Sequence, residues 1–414
     1  MQPKPWPTNL YFSFAILVLV LAAPALLSQD VVALRKEFTA KRNALAANDV
    51  PARRELAKWC IARKLRQSEL AIYREILSLD PKDEAAHKGL SHVKEGESWF
   101  ESIEALQAAK GRVRGLNAWL DAAPEAAVPL HEHLLTPAEF TKIEAGEALA
   151  AHKGTGWQEV LTLEWRIRSG LTLKDTLELA RMMEQAVRTW RTEGDFKRDA
   201  NNPITLHMEI LKSHEAYVAM IEGDIETYEP ELAKSHGFFD GQTCWGSYFK
   251  DWYRTRRIVL HEGRHQFDML IAKTFGAMPA WYREGLAEFY SIHDWDGKTL
   301  QMGRLNSDIN EHLYFLQRIC KRKKLRGAAE TIQQGQEGAI DPEFYQQTWA
   351  FIYYCRTGPQ AEAFKKWEAE LLAGKLPTAE KQLEAFKEKV APDLKDFDSS
   401  YNQATNAWAS KYQK

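Results

Sequence analysis

The sequence predicts an α+β protein, with a small mixed or antiparallel sheet between two helical regions. Two segments alternate apolar and polar residues as half-buried strands do, VLTLEWRIRS from Val160 and PITLHMEI from Pro203. A third, shorter strand is predicted at residues 243–249. Helical periodicity separates these strands and dominates both ends of the chain, and this order of elements is typical of the α+β class.

Length and charge limit the classes of function. A chain of 414 residues is expected to form two or three units. Hydrophobic residues make up 45% of the chain and charged residues 27%, as in a folded protein. The formal net charge of −2 gives no electrostatic reason to expect nucleic acid as a partner.

The first element in chain order is a predicted signal peptide at residues 1–28. Lys4 precedes the apolar run YFSFAILVLVL, and small residues follow it, with cleavage sites after Ala25 and Ser28. This pattern predicts export to the periplasm or the extracellular space, with no membrane span after cleavage. The alternative is an uncleaved anchor at residues 10–27, which is marginal for a bilayer that needs about 20 residues.

Residues 29–155 are predicted to be helical throughout. The pattern gives three short helices, at residues 53–63, 68–79 and 81–93. Ala57, Tyr73 and Pro81 lie near the positions where tetratricopeptide repeats place a small residue, an aromatic residue and a proline. Such a repeat-like unit either binds a partner protein or packs on a neighbouring domain, and the sequence leaves both options open.

Residues 156–300 are predicted to form the unit that contains the sheet. The alternation from Val160 is interpreted as one strand, and Thr172 with Asp175 marks the capped start of the helix that follows. His207 is expected to be an exposed strand residue. Residues 301–414 are predicted to be a helical C-terminal subdomain that completes a cleft.

The stretch VLHEGRHQF, residues 259–267, places two histidines four positions apart on a predicted helix. His261 and His265 then lie about 40° apart on one face, so both imidazoles can reach a single ion. Glu262 lies beside them, where a carboxylate can accept a proton from a water molecule. The alternative is an ordinary helix with two surface histidines and no metal.

A third ligand is expected in PAWYREGLAEFY, because catalytic zinc sites use three protein ligands and keep one position open. Pro279 opens a second predicted helix, and Glu284 follows His265 after eighteen intervening residues. Glu288 lies one turn further along the same face. Its carboxylate can therefore hold the outer nitrogen of a ligand histidine.

The chain contains HExxH followed by eighteen intervening residues and a glutamate. This spacing resembles the pattern of the gluzincin metallopeptidases, the group that contains thermolysin. HEGRHQF and PAWYREGLAEFY are more specifically similar to a peptidase-MA-like domain of uncharacterised secreted bacterial proteins, over about residues 156–360. The resemblance implies a zincin-like, thermolysin-type fold and hydrolysis of peptide bonds with one zinc ion. It implies His261, His265 and Glu284 as zinc ligands, Glu262 as general base and Glu288 as the partner of His261.

The resemblance also implies a donor for the oxyanion that develops during hydrolysis. Gluzincins take this donor from a tyrosine or histidine well after the third ligand. Tyr345, in EFYQQTWAFIYY, is the first choice, because the family favours a tyrosine before such a segment. Tyr353, Tyr354 and His293 are the alternatives.

In zinc peptidases of this type, an edge strand before the metal helix pairs with extended peptide substrate. The strand TCWGSYF occupies that place in the sequence. It predicts substrate pairing at four residues, Cys244, Trp245, Gly246 and Ser247. Gly246 would allow close approach of another backbone.

Arg264 departs from the family pattern, because the two residues inside HExxH are usually uncharged. A cation so close to zinc weakens its binding unless a carboxylate pairs with it. Asp268 is interpreted as a solvated or capping carboxylate, since it does not occupy a gluzincin ligand position. Ile271 stands where a metzincin needs a histidine, which excludes that class.

The four cysteines, Cys60, Cys244, Cys320 and Cys355, are widely spaced. They form disulfides in one of three pairings or remain as buried thiols. The sequence as a whole predicts an exported zinc metallopeptidase acting on a peptide or protein. The alternative function is a weak or inactive zincin-fold protein that works as a binding or scaffold module through its helical repeats.

Overall fold

The structure is a computed structural model and describes residues 26–153, 156–199, 204–223, 230–305, 310–334 and 342–411. The predicted signal peptide and the alternative anchor lie outside these residues, apart from their last few positions. In the described ranges, no helix combines the length and the hydropathy that a bilayer crossing needs.

Four helices begin the described chain: α1 (Leu26–Asn43), α2 (Val50–Ala62), α3 (Arg66–Leu79) and α4 (Glu84–Gly89). Helices α2 and α3 match the first two predicted helices. The third is shorter than predicted, because Asp83 caps its start and Ser91 adopts a φ of 61° just after its end. The side chain of Asp83 accepts a hydrogen bond from the backbone N–H of Ala86 at 2.7 Å.

The prediction of continuous helix up to residue 155 is wrong. The segment contains β1 (Val93–Glu95), β2 (Ser98–Phe100), α5 (Ile103–Ala109), β3 (Val113–Arg114), β4 (Trp119–Leu120), β5 (Val128–Leu130), β6 (His133–Leu135), α6 (Pro137–Glu144) and β7 (Leu149–Lys153). Strands β1 to β6 form three two-stranded hairpins. Turns with positive φ, at Gly96 and His131, reverse the chain where a helix would continue.

A six-stranded mixed sheet forms the centre of the molecule. It adds to β7 five further strands, β8 (Gln158–Leu161), β9 (Trp165–Ser169), β10 (Leu206–Leu211), β11 (Gly237–Phe239) and β12 (Thr243–Ser247). The strand order is β11-β12-β10-β9-β8-β7, and only β10 pairs in parallel, with β9 and β12. The α+β class and the mixed sheet are as predicted.

The alternating stretch from Val160 is two strands, not one. A turn after β8 is closed by hydrogen bonds from Thr162 N to Trp165 O and from Trp165 N to the Thr162 hydroxyl, each 2.9 Å. Glu164, one of the polar residues of this alternating stretch, is buried in the turn and pairs with Arg191 at 3.0 Å. His207 on β10 is half-buried.

The remaining elements are mostly helical. They are α7 (Leu173–Gly194), α8 (His214–Gly223), α9 (Pro230–Lys234), α10 (Trp252–Leu270), a 3₁₀ turn (Phe275–Ala277), α11 (Ala280–Ser291), β13 (His293–Trp295), β14 (Leu300–Met302), α12 (Asn310–Lys321), α13 (Ala328–Gln333), α14 (Pro342–Thr357), α15 (Ala361–Leu372), α16 (Ala379–Lys389) and α17 (Leu394–Ala409). The predicted cap of α7 is present, with Thr172 accepting from Asp175 N at 3.2 Å. After β14, the described elements of the chain are all helices, as expected.

Helices α7 and α10 cover one face of the sheet. Trp165, Met183 and Phe267 belong to the main core there, which continues into the C-terminal helices through Trp281 and Trp349. On the opposite face, α8 contacts β10 and β12, and α3 packs on α8. The core residues of α1 to α4 share a second cluster with residues of α8, β10, β11 and β12. The N-terminal helices therefore pack on the sheet-containing part of the molecule.

Candidate metal centre

Helix α10 positions both histidines of the HExxH stretch. Its N-terminus is capped by Asp251, which accepts a hydrogen bond from Tyr253 N at 2.9 Å. One turn separates His261 from His265, whose rings lie 4.7 Å apart and whose Nε2 atoms lie 3.1 Å apart. Both side chains are buried, so the alternative of two surface histidines is wrong.

Helix α11 brings the third predicted ligand to the same point. Pro279 is its N-cap, and Glu284 is buried in its second turn. The Oε2 atom of Glu284 lies 3.4 Å from His261 Nε2 and 3.2 Å from His265 Nε2. We refer to His261, His265 and Glu284 as the metal triad.

A glycine fixes the place of α11 against the C-terminal helices. A Cβ atom at Gly285 would lie 2.7 Å from the carbonyl oxygen of Thr348 and 2.9 Å from Ile352 Cγ1, both on α14. Only glycine allows two helices to approach this closely. The residue after Glu284 therefore sets the contact between α11 and α14.

The metal triad could hold a metal ion. One ligand atom from each residue can be chosen so that all three lie within 4.8 Å of one another. Glu284 Oε2 is buried and, apart from the imidazoles of His261 and His265, has no hydrogen-bond donor among the described residues. Two imidazole nitrogens and one carboxylate oxygen are a donor set that suits divalent transition metals.

In the metal-free protein a proton takes the place of a metal charge. Burial lowers the pKa of His261, but the carboxylates of Glu284 and Glu288 outweigh this effect and raise it to about 10. Burial raises the pKa of Glu284, and the neighbouring His265 and His261 reverse this and hold it well below its usual range. A metal ion would have to displace the proton on His261.

Glu288 supports His261 from behind. Its Oε1 atom lies 3.3 Å from His261 Nδ1, as predicted for a carboxylate that holds a ligand histidine. Its Oε2 atom accepts from Arg257 Nη2 at 3.0 Å and lies 2.9 Å from His312 Nε2. Neither Arg257 nor His312 was predicted. Arg257 lies one turn before His261 on α10, which was a usable signal, whereas His312 comes from the distant α12.

Glu262, the predicted general base, is buried beside the metal triad. Burial raises its pKa, against the effect of the two nearby histidines, and a raised pKa suits a group that must accept and release a proton. A Cβ atom at Gly237 on β11 would lie 3.3 Å from Glu262 Cγ. The edge strand β11 therefore runs next to this carboxylate.

The predicted substrate strand needs correction. Cys244, Trp245, Gly246 and Ser247 lie on β12, which is paired with β10 on one side and β11 on the other. Their backbone groups are used within the sheet, so this strand cannot add a peptide. Among the described strands, β11 (Gly237–Phe239) is the one at this edge.

Tyr345 reaches the site from α14. Its ring centroid lies 6.2 Å from that of His261, and its buried hydroxyl has no hydrogen-bond partner in the described part of the chain. Burial raises the pKa of Tyr345 well above its usual range, and the carboxylates of Glu284 and Glu262 add to this effect. The hydroxyl is therefore protonated and can donate.

The alternatives to Tyr345 point elsewhere. His293 accepts a hydrogen bond from Arg256 Nε at 3.1 Å and lies 2.8 Å from the carbonyl of Ser291. Tyr353 and Tyr354 contact the ring of Trp408 on α17.

Arg264 and Asp268 form a buried pair rather than a solvated one. The Arg264 Nη2 atom lies 2.7 Å from Asp268 Oδ1, and its guanidinium lies 4.7 Å from the ring centroid of Tyr290. The interpretation of Asp268 as a solvated or capping carboxylate is wrong, because this side chain is fully buried. The carboxylate that must neutralise Arg264 is thus present.

None of the four cysteines forms a disulfide in the described part of the chain. Cys60, Cys244 and Cys355 are buried and Cys320 is half-buried, so the thiol alternative holds. Cys244 lies under the site, where its Sγ atom donates to the backbone carbonyl of Glu262 at 3.0 Å.

No protein-family model matches the chain, and no curated protein matches it in sequence.

Proposed function

We propose that the protein is an exported zinc metallopeptidase of the gluzincin type, with a zincin-like fold. The convergence of one Glu284 oxygen on the Nε2 atoms of His261 and His265 carries this proposal. Three protein ligands from two successive helices leave room for water and substrate on a catalytic ion. A mixed sheet with α7 and α10 on one face and an antiparallel edge strand fits a thermolysin-type architecture.

A zinc ion in the metal triad would lower the pKa of a bound water from about 15.7 toward 7 and polarise a carbonyl group. Glu262 would take the proton of the attacking water and deliver it to the leaving amine. Its raised pKa, caused by burial, matches this double task. Glu288 would keep the His261 ring oriented throughout, since it contacts the nitrogen that faces away from Glu284.

The Tyr345 hydroxyl would donate a hydrogen bond to the oxyanion that forms on the scissile carbonyl. Two observations support this role: the ring lies against His261, and the buried hydroxyl has no other partner among the described residues. A buried hydroxyl without a partner costs free energy, so a bound group that accepts its hydrogen bond is favoured.

The peptide would pair with β11 instead of β12. Gly237 lies against Glu262, and the outer side of β11 carries no strand in the described structure. An extended substrate added there would pass the general base. The helices α1 to α4 share a core with α8 and with strands of the sheet. Recruitment of a partner protein by their other surfaces stays a prediction.

The decisive experiment is cleavage of a broad peptide library by the zinc-loaded protein and by Glu262→Gln. We expect the parent to cleave, and the variant to retain zinc and lose about 10²- to 10⁴-fold in rate. Glu362→Gln, at an exposed position on α15, is the control and should behave as the parent. A parent that binds zinc and cleaves nothing would favour the binding-module alternative.

A further inference from the structure

Glu284 uses its two carboxylate oxygens differently. Oε1 accepts a hydrogen bond from Arg283 Nε at 3.1 Å. Oε2 faces the Nε2 atoms of both histidines and, apart from them, has no donor among the described residues. The carboxylate is buried, so its orientation is set by these neighbours and not by bulk water.

Arg283 is itself held in place. Its guanidinium lies 4.6 Å from the ring centroid of Phe275, and that ring packs edge-on against His265 with centroids 5.9 Å apart. Only 16% of the Arg283 side chain is exposed. Guanidinium groups stack on aromatic faces, and a stacked arginine loses little further freedom when it forms a hydrogen bond. Arg283 and Phe275 thus fix the plane of the Glu284 carboxylate.

We propose that Arg283 is a positioning residue that reserves Oε1, so that Glu284 offers a metal ion one oxygen only. This inference rests on the proposed function, since it assumes an ion in the metal triad. A carboxylate that turned both oxygens to the ion would occupy the position that a catalytic site keeps open. Hydrogen-bond partners of ligating carboxylates commonly have such an orienting role.

The hydrogen bond and the charge of Arg283 can be separated by substitution. Arg283→Lys keeps the positive charge but lacks the planar Nε donor. Arg283→Gln removes the charge, which by itself would strengthen cation binding. A role in orientation therefore predicts a changed coordination in both variants, whereas a purely electrostatic role predicts no change in the lysine variant.

The experiment is titration of the metal-free protein with Co²⁺, followed by visible absorption. Four-coordinate cobalt absorbs more strongly than cobalt with more ligands, so the spectrum reports the number of donor atoms. We expect the parent and Arg254→Gln, an arginine in the first turn of α10, to share one intense spectrum. Both Arg283 variants should give weaker absorption per bound ion. Competition with a chelator should show about 10- to 100-fold weaker binding by Arg283→Lys.

The outcomes separate the two proposals. The role of Arg283 would be overturned, and the metal site left intact, by either of two results. One is a parent-like spectrum in both Arg283 variants. The other is a parent-like spectrum and affinity in Arg283→Lys alone. A parent that fails to bind cobalt would overturn the proposed function and this inference together. Circular dichroism of the metal-free variants checks that their helices are retained. If Arg283→Lys does not fold, the spectrum of Arg283→Gln decides whether Arg283 has the proposed role.

Discussion

Helix α10 contributes to two buried charged clusters that differ in how their charges are paired. The metal triad, with Glu262 and Glu288, lies on one side. The second cluster, which we call the arginine network, consists of Arg264, Asp268, Tyr290, Arg356 and Glu368. In this network, the Arg264 and Asp268 charges lie 2.7 Å apart, and the Arg356 and Glu368 charges 2.8 Å apart. Both arginines contact the ring of Tyr290.

The difference fits a structural role for the arginine network and the proposed metal binding at the triad. In the arginine network, each charge has an opposite charge within ion-pair distance, so nothing further is needed to compensate its burial. In the metal triad, one Glu284 oxygen is shared between the Nε2 atoms of His261 and His265, and the nearby Tyr345 hydroxyl is buried without a hydrogen-bond partner in the described structure. Polar atoms that converge in this way suit a bound metal ion or ligand.

The largest expected effect is the loss of metal from the triad. His265→Ala removes one of three ligands, so stoichiometric zinc should be lost on dialysis, as measured by elemental analysis. His207→Ala, on β10 and outside the triad, should keep the metal. If His265→Ala retains one zinc ion per chain, metal binding is not what distinguishes the metal triad from the arginine network.

The next effect concerns the arginine network. Asp268→Ala leaves the Arg264 cation buried without its carboxylate, so the free energy of unfolding should fall by about 3–5 kcal/mol. Denaturant unfolding followed by tryptophan fluorescence measures this change. Replacing both Arg264 and Asp268 with leucine should recover most of the loss, because no unpaired charge remains. If Asp268→Ala loses zinc and keeps its free energy of unfolding, the arginine network does not have the purely structural role assigned to it.

A smaller effect is expected at the hydroxyl near the triad. Tyr345→Phe should lower kcat by about 10²- to 10³-fold, as the removal of one oxyanion donor does in other hydrolases. Zinc content should not change. The free energy of unfolding should stay the same or rise, since a buried hydroxyl without a partner is removed. Equal kcat in parent and variant would exclude Tyr345 as the donor.

A separate effect is the pH dependence of the metal-free protein, where burial opposes the ion pairs. The pKa of His261 is raised from 6.5 to about 10, so its stabilising contribution is complete below pH 6.5 and is lost as the pH rises through 10. The pKa values of Glu284 and Glu288 lie well below 4.5, and their contribution is lost as the pH falls below 4.5.

Unfolding in the presence of a chelator, at pH 6 and at pH 10, tests this dependence. Zinc should abolish the alkaline loss, because the ion already requires neutral imidazole. The Arg264–Asp268 pair should not contribute to the alkaline change, since arginine stays charged throughout this range. An alkaline loss of the same size in His261→Gln would assign the effect to other groups.

The sequence predicted the parts of the site that depend on spacing within a helix. His261 and His265 are one turn apart, as are Glu284 and Glu288, so helical geometry alone places each pair on one face. The contacts from more distant elements could not be predicted in this way. His312 reaches Glu288 from α12, and Asp268 is buried beside Arg264, whose guanidinium lies against Trp190 of α7 and Tyr290 of α11.

The errors in the predicted fold have a similar origin, because they too concern contacts between distant elements. Residues 93–135 contain alanine-rich stretches that resemble helices, and their hairpins depend on turns with positive φ and on packing against the sheet. The place of β12 inside the sheet depends on β11, a strand of three residues that is too short for its alternation to be recognised. The proposed thermolysin-type fold stands on the sheet order and on the resemblance of the motif.

The contact at Gly285 has a mechanical consequence. Because the backbones of α11 and α14 touch there, the carboxylate of Glu284 and the hydroxyl of Tyr345 belong to one stiff body. The distance between these two groups cannot increase unless the two helices separate. Any opening of the site that admits a bulky peptide must therefore occur as a displacement of this body relative to the sheet.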